Sequence, residues 1–253
     1  MSKLAIIITV HNRNDKRLKN CLRSLIAQDT VQDYEIFVVD YASTDDLPSM
    51  IGELNSDKIL YVHVDKPTVN ISHGNNIAIQ NTDAEWICVT DGNFVFQNNF
   101  VDNVFATMGQ NLILVCTGRP YYVPEMYIEN ETYDFVVDFD TALTAPGVGK
   151  GSLRPQSSIL VMERERTLEI RGYDEEVVAA EDTDILRRFL TSGAFLTRLD
   201  TNTSLIYQTF TQAPEVKQAK GQAELVNLSQ AEGKAALRRK SPIRNLGREF
   251  GVL

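Results

Sequence analysis

A chain of 253 residues, 43% apolar and 23% charged, suits one sizeable soluble α/β domain with room for an appendage. Its net charge of −9 excludes nucleic acid as the main partner, since neutralising phosphates takes a basic surface. Apolar runs such as residues 4–8 and 159–162 are far too short to cross a bilayer, and no clear signal-peptide pattern accompanies them, so a cytoplasmic protein is expected.

The first predicted strand, residues 4–10, is a continuous apolar run of the kind a doubly covered parallel strand needs. It ends at the polar loop His11-Asn-Arg-Asn-Asp15. A helix follows in which Leu18, Leu22, Leu25 and Ile26 share one face. Residues 34–40 form the second strand, and Ser43-Thr-Asp-Asp46 after it can turn the chain and cap a helix. A third strand fits residues 59–64, a helix 73–81, and a fourth strand 84–90, which leads into Asp91. This alternation indicates a mostly parallel sheet with right-handed crossovers. Such sheets bind ligands outside the carboxyl ends of their strands. Thr9, His11, Asp40 and Asp91 all fall at those ends.

The middle of the chain, residues 118–156, is rich in Tyr, Pro and Gly with poor periodicity, and reads as a long functional loop. A strand at 157–162 and a helix at about 183–191 follow; the helix buries Ile185, Leu186, Phe189 and Leu190 and stops at Gly193. Cys21, Cys88 and Cys116 are widely spaced, with no CxxC pair, and read as free thiols. From Ala213 onward the balance changes: eight Lys/Arg against four Glu give a +4 tail and leave −13 on residues 1–212. The composition shift sets a boundary near Pro214 between a main domain, 1–212, and a basic, mainly helical extension, 213–253.

Four segments, in order, resemble the family 2 glycosyltransferases. Ile6-Ile-Ile-Thr-Val-His-Asn-Arg13 is similar to the family's opening strand and nucleotide-facing loop. Val38-Val-Asp-Tyr-Ala-Ser-Thr-Asp-Asp46 resembles V-D-D-G-S-T-D-D. Asn75-Asn-Ile-Ala78 resembles R-N-x-G, and Gly172-Tyr-Asp-Glu175 with Glu181-Asp-Thr-Asp-Ile-Leu-Arg-Arg188 resembles G-[FY]-D-E…E-D-x-D-L-x-x-R. The resemblance implies a GT-A fold, an α/β/α sandwich with a mostly parallel central sheet, and transfer of a sugar from a UDP- or GDP-sugar to a hydroxyl acceptor. That acceptor would be a glycan, a lipid-linked molecule or a small molecule.

On the same resemblance Asp40 binds the nucleobase, with Thr9, His11, Arg13, Ser43, Asn76, Thr90, Asp91 and Glu181 completing the donor site. Asp182 is the general base of an inverting reaction, weighed against a helix N-cap role that it would satisfy equally well. Asp184, Arg187 and Arg188 are expected to be exposed charges or a phosphate contact. The metal motif is Asp91-Gly92-Asn93, and Gln208 stands where a late His is often a further ligand. With amides in place of two usual ligands, a divalent cation (Mn2+ or Mg2+) is expected to bind weakly and with help from the nucleotide. Tyr41 and Ala42 replace the second Asp and the Gly of the nucleotide motif.

These departures keep two alternatives open: a retaining transferase on the same fold, and a non-catalytic module that binds nucleotide sugar or glycan. Gly147-Val-Gly-Lys-Gly-Ser152 lacks the first glycine and the strand–loop–helix context of a P-loop. A dehydrogenase would carry G-x-G-x-x-G where His11-Asn-Arg-Asn stands. The basic tail suggests either peripheral contact with the inner face of a membrane or a homo-oligomer.

Overall fold

The computed structural model describes residues 4–66, 68–109, 112–116, 120–150, 156–177, 181–199 and 205–208. The first half alternates as the sequence predicts: β1 (Leu4–Val10), α1 (Lys16–Ile26), β2 (Tyr34–Tyr41), α2 (Leu47–Leu54), β3 (Ile59–Val64), α3 (Ile71–Asn81) and β4 (Trp86–Thr90). Then come β5 (Phe94–Phe96), α4 (Phe100–Thr107), β6 (Leu112–Cys116), β7 (Tyr121–Val123), α5 (Glu125–Glu129), α6 (Phe139–Ala142) and β8 (Gly149–Lys150). The described part closes with β9 (Gln156–Glu163), α7 (Arg164–Glu169), α8 (Glu181–Thr191), β10 (Phe195–Leu199) and β11 (Leu205–Gln208).

Seven strands form the main sheet in the order β10-β6-β9-β4-β1-β2-β3. β1 pairs in parallel with β2 and β4, and β2 with β3, while β9 runs antiparallel to both β4 and β6. Alternate residues of a strand point to opposite faces, so β1 feeds two cores. Leu4, Ile6, Ile8 and Val10 meet Leu18, Leu22 and Leu25 of α1, Leu47 and Met50 of α2, and Phe100 and Val104 of α4. Ala5 and Ile7 meet Ala78 and Ile79 of α3 and Ile185, Leu186 and Phe189 of α8 on the other side. Helices thus cover both faces, as the unbroken apolar pattern of β1 requires.

The middle segment is where the structure departs from expectation. Residues 121–150 are built from pieces of two to five residues rather than one irregular loop, and they complete a second sheet in the order β5-β11-β7-β8. Val95, Val123, Ile128, Phe135, Phe139, Ala142 and Ile206 bury a third apolar cluster. Its partners come from both sides of the segment, so no local periodicity announces it. The extension from residue 213, expected to be helical, lies outside the described residues.

The chain runs β1→β2→β3 outward on one side of β1 and then returns through α3 to β4 on the other. The crevice outside the carboxyl ends of β1 and β4 is therefore the topological switch point of the sheet, where ligands of open α/β sheets bind.

Candidate functional site

Two loops face each other at this crevice. Residues 11–15 leave β1, and residues 41–46 leave β2. Asn12 (φ 50°) and Ala42 (φ 54°) are both left-handed, and Ala42 occupies the position where the nucleotide motif has Gly, so the turn keeps the motif's backbone shape with a side chain that favours it less. The loops lace together: the Asn12 N–H donates to the Ser43 hydroxyl at 2.8 Å, and the Thr44 N–H donates to the Asn12 side-chain oxygen at 2.8 Å. The Asn14 N–H donates to the Asp45 carboxylate at 2.7 Å. His11 Nδ1–H donates to the Tyr41 carbonyl at 2.7 Å, and its Nε2 accepts from Asn12 at 3.1 Å.

Ser43 and Asp45 therefore act first as loop fasteners. Asp46, the residue before α2, makes no side-chain capping bond, and Pro48 in the first turn starts that helix.

Asp40, the penultimate residue of β2, has 1% of its surface exposed. One carboxylate oxygen accepts from the Tyr61 hydroxyl at 2.5 Å and from His63 Nδ1 at 3.1 Å; the other accepts the Ser43 N–H at 3.2 Å. Burial pushes its carboxyl up, but the bonds from Ser43, Tyr61 and His63 outweigh it and hold the pKa below the ordinary 3.8. Tyr61 and His63 were not foreseen. They share a face of β3, and the parallel register sets His63 opposite Asp40, which is the signal that would have found them. Tyr41, at the motif's second Asp, is buried against His73 edge-on at 5.7 Å, its hydroxyl 3.2 Å from His73 Nδ1.

Across the crevice, Asp91 and Asn93 close a turn after β4, with the Asn93 N–H donating to Asp91 Oδ1 at 2.7 Å. Burial raises the Asp91 carboxyl above its usual value; the Asn93 amide and the Arg13 charge oppose that shift. Arg13 reaches over from the first loop: Nη2 donates to Asn93 Oδ1 at 2.9 Å, and Nε to Asp15 Oδ2 at 2.6 Å. Asp15 also caps α1, accepting the Leu18 N–H at 2.9 Å. Thr90 is buried, and its hydroxyl has no partner among the described residues.

Gln208 is 0% exposed. Its side-chain oxygen accepts from Asn20 at 2.9 Å, its amide donates to the Arg17 carbonyl at 2.9 Å, and its backbone N–H holds the Asn93 carbonyl at 3.0 Å. The expected ligand trio thus has one carboxylate and two amide oxygens that already receive N–H donors. No group of three or more His, Cys, Asp or Glu that could hold a metal occurs among the described residues. As arranged, the residues by themselves offer a divalent cation one carboxylate, Asp91, which is too little for a site built from protein alone.

Other residues of the expected donor site also tie elements together. Thr9 donates to Asn75 at 2.7 Å. The Asn76 amide donates to the Tyr173 carbonyl at 2.9 Å and to Glu175 at 3.0 Å, while its oxygen accepts the Tyr173 N–H at 2.8 Å. All of its polar capacity but one lone pair is used inside the protein, so Asn76 staples α3 to residues 173–175 rather than offering itself to a ligand.

That staple sets the approach to α8. The helix begins at Glu181, two residues earlier than predicted, so Asp182 lies inside the first turn. It is half-buried, and among the described residues its Oδ1 accepts from Thr183 alone, at 2.7 Å from the N–H and 3.3 Å from the hydroxyl; a capping carboxylate would take an N–H two or three residues on. Burial raises the Glu181 carboxyl, and the neighbouring Asp182 charge adds to it. Asp184, expected to be exposed, is buried and pairs with Arg187 at 3.0 Å and Arg188 at 2.7 Å. Those arginines anchor α8; Arg188 also donates to the Ile170 carbonyl at 2.8 Å.

A mostly parallel sheet covered by helices on both faces, with polar groups gathered at its switch point, defines an α/β protein with a ligand crevice at the strand ends. More specifically, the chain belongs to glycosyl transferase family 2, whose family model matches residues 5–159. No curated protein matches its sequence. Among solved structures it is similar to the mannosyltransferase PcManGT from Pyrobaculum calidifontis in complex with GDP-Man and Mn2+, at 16% identity and a TM-score of 0.66, covering 98% of this chain and 67% of that one. S. aureus TarS 1-349 in complex with UDP-GlcNAc matches at 13% identity and 0.62, covering 83% of this chain and 60% of that one. GalNAc-T7 with UDP, GalNAc and Mn2+ matches at 12% identity and 0.62, covering 83% and 44%. This chain spans from about two thirds to less than half of the length of those proteins. The likeness establishes the GT-A transferase fold, and with the family match the protein is a glycosyltransferase. No helix among the described residues is long and apolar enough to cross a membrane.

Proposed function

We propose that the protein transfers a sugar from a UDP- or GDP-sugar to a hydroxyl acceptor with inversion, and that Asp182 is the general base. The observation that carries the reading is the acid pair at the head of α8. Glu181 and Asp182 lie beside Tyr173, whose hydroxyl burial and then their charges push well up, and among the described residues Asp182 keeps a half-buried carboxylate bonded only to its neighbour. A base needs this combination of fixed position and free lone pairs.

On this reading the acceptor hydroxyl gives its proton to Asp182 as its oxygen attacks the anomeric carbon. The bond from that carbon to the diphosphate breaks on the opposite side, and the nucleoside diphosphate leaves. Asp40, held ionised by Tyr61, His63 and Ser43, orders the nucleobase end of the crevice, and Arg13, Thr90 and Asp91 line its phosphate end. The solved structures with GDP-Man and UDP-GlcNAc support a donor of this class.

The test is Asp182→Asn, assayed with a panel of UDP- and GDP-sugars and hydroxyl acceptors. Transfer should fall by about 10²–10⁴-fold, the usual contribution of a positioned base, with nucleotide affinity nearly unchanged. Near-native transfer would favour the retaining alternative. Nucleotide binding without transfer by the wild type would favour the non-catalytic module.

A further inference from the structure

Among the described residues, Arg13 places a cation at the crevice that belongs to the chain itself. We propose that Arg13 is the resident counter-charge for the donor's diphosphate, doing at this site what a bound divalent cation would otherwise do. The inference rests on the donor-binding reading above and deepens it.

Three observations carry it. Arg13 spans the switch point: it leaves the loop after β1 and donates to Asn93 Oδ1, in the turn after β4, at 2.9 Å. The bond uses the neutral oxygen at the position where a second carboxylate would be wanted for a metal, so the amide serves as a rest for the guanidinium. The turn itself is fixed from behind, because β11 holds the Asn93 carbonyl through the Gln208 N–H at 3.0 Å.

Arg13 also has capacity left. Nε and Nη2 are engaged by Asp15 and Asn93, while Nη1 has no bond to another described residue, and the side chain is 24% exposed. A diphosphate oxygen can therefore be met without releasing either protein partner. A guanidinium fixed on two sides suits phosphate, since its donors form a rigid fork and its charge does not titrate. Finally, the remaining oxygens suit a cation poorly: Gln208 is sealed in and accepts from Asn20, which leaves Asp91 as the lone carboxylate.

Chemically, the leaving diphosphate gains negative charge as its bond to the anomeric carbon breaks. A positive group already in place stabilises that charge without reorganisation. Asp15 and Asp91 offset part of the Arg13 charge, but Asp15 also holds the fork in register.

Calorimetry of the full chain with UDP and GDP, and with uridine and guanosine, decides the matter, each titration run with EDTA and with Mn2+. The wild type should bind the preferred diphosphate equally well in both. Arg13→Gln should lose about 10–100-fold in diphosphate affinity, the value of a charge-assisted bond, and leave nucleoside affinity unchanged; Arg13→Lys should recover part of it. Asn93→Asp, which adds a carboxylate beside Asp91, should make diphosphate binding respond to Mn2+, and it tests the idea even if Arg13→Gln fails to fold. Wild-type binding that requires Mn2+ would overturn the proposal, as would equal losses for nucleoside and diphosphate. If neither diphosphate binds under any condition, the donor-binding reading itself falls, and this inference with it.

Discussion

Asp40, which we propose orders the nucleobase end of the crevice, also ties the fold together. Its carboxylate joins the last residues of β2 to Tyr61 and His63 on β3 and to the Ser43 amide in the turn that follows β2. Because these bonds favour the charged form, its folded pKa is lowered. A carboxyl of this kind stabilises the fold above its unfolded pKa, and that stabilisation disappears as pH falls through the folded value. Asp40→Asn keeps the shape but not the charge, so it should destabilise by about 1–3 kcal/mol at pH 7. The gap should close from about pH 4 downward, as the wild-type carboxyl protonates. Urea unfolding of both proteins at pH 7 and pH 3 checks this; a gap that stays constant across that range would remove the charge from the account.

At the scale of elements, Asn76 of α3 is stapled to residues 173–175, in the stretch of chain that precedes α8. Gly172 is left-handed (φ 63°), and a Cβ there would sit 2.4 Å from Asn76 Oδ1. The glycine of the Gly172-Tyr-Asp-Glu175 motif is thus required twice, once by backbone shape and once by the close approach of the staple. Gly172→Ala should cost about 2–4 kcal/mol, combining left-handed strain with overpacking. In Asn76→Ala the steric part is already relieved, so the two substitutions together should fall short of additive. Thermal unfolding of the two single variants and the double variant measures this. Full additivity would mean that the side chains do not meet as described.

For the whole molecule, charge is the feature left to explain. A tail of +4 follows a body of −13, and at low salt such opposite fields attract over about a Debye length, roughly 30 Å at 0.01 M and 10 Å at 0.1 M. We expect the tail to engage acidic surface of another copy, so the full chain should self-associate at low ionic strength and dissociate on adding salt. Replacing Arg238, Arg239 and Lys240 by Gln should remove most of that association. Sedimentation of both proteins, with and without anionic vesicles, separates this outcome from membrane contact. Vesicle pelleting by the native chain alone would assign the tail to a lipid surface instead.

What the sequence determined by itself was the frame. Continuous apolar strands, amphipathic helices between them and polar residues at the strand ends led to a doubly covered parallel sheet, and the ordered motifs led to the family. These signals are local or fixed in spacing, so one dimension suffices to read them. The tertiary structure decided which polar residues look outward and which bind the protein to itself. Asn76 meets Tyr173 across 97 positions, and Gln208 meets Asn20 across 188; the motifs point to both as ligand contacts, and the fold buries both against other parts of the chain. Arg13 and Asn93, 80 positions apart, stand in separate motifs of the sequence and are bonded partners in the fold. The second sheet escaped notice for the same reason, its short strands being stable only because β11 returns to pair with β5 and β7. A motif specifies which chemical group stands at a position, but its hydrogen-bonding capacity is finite, and only the folded chain determines how much of that capacity remains for a ligand.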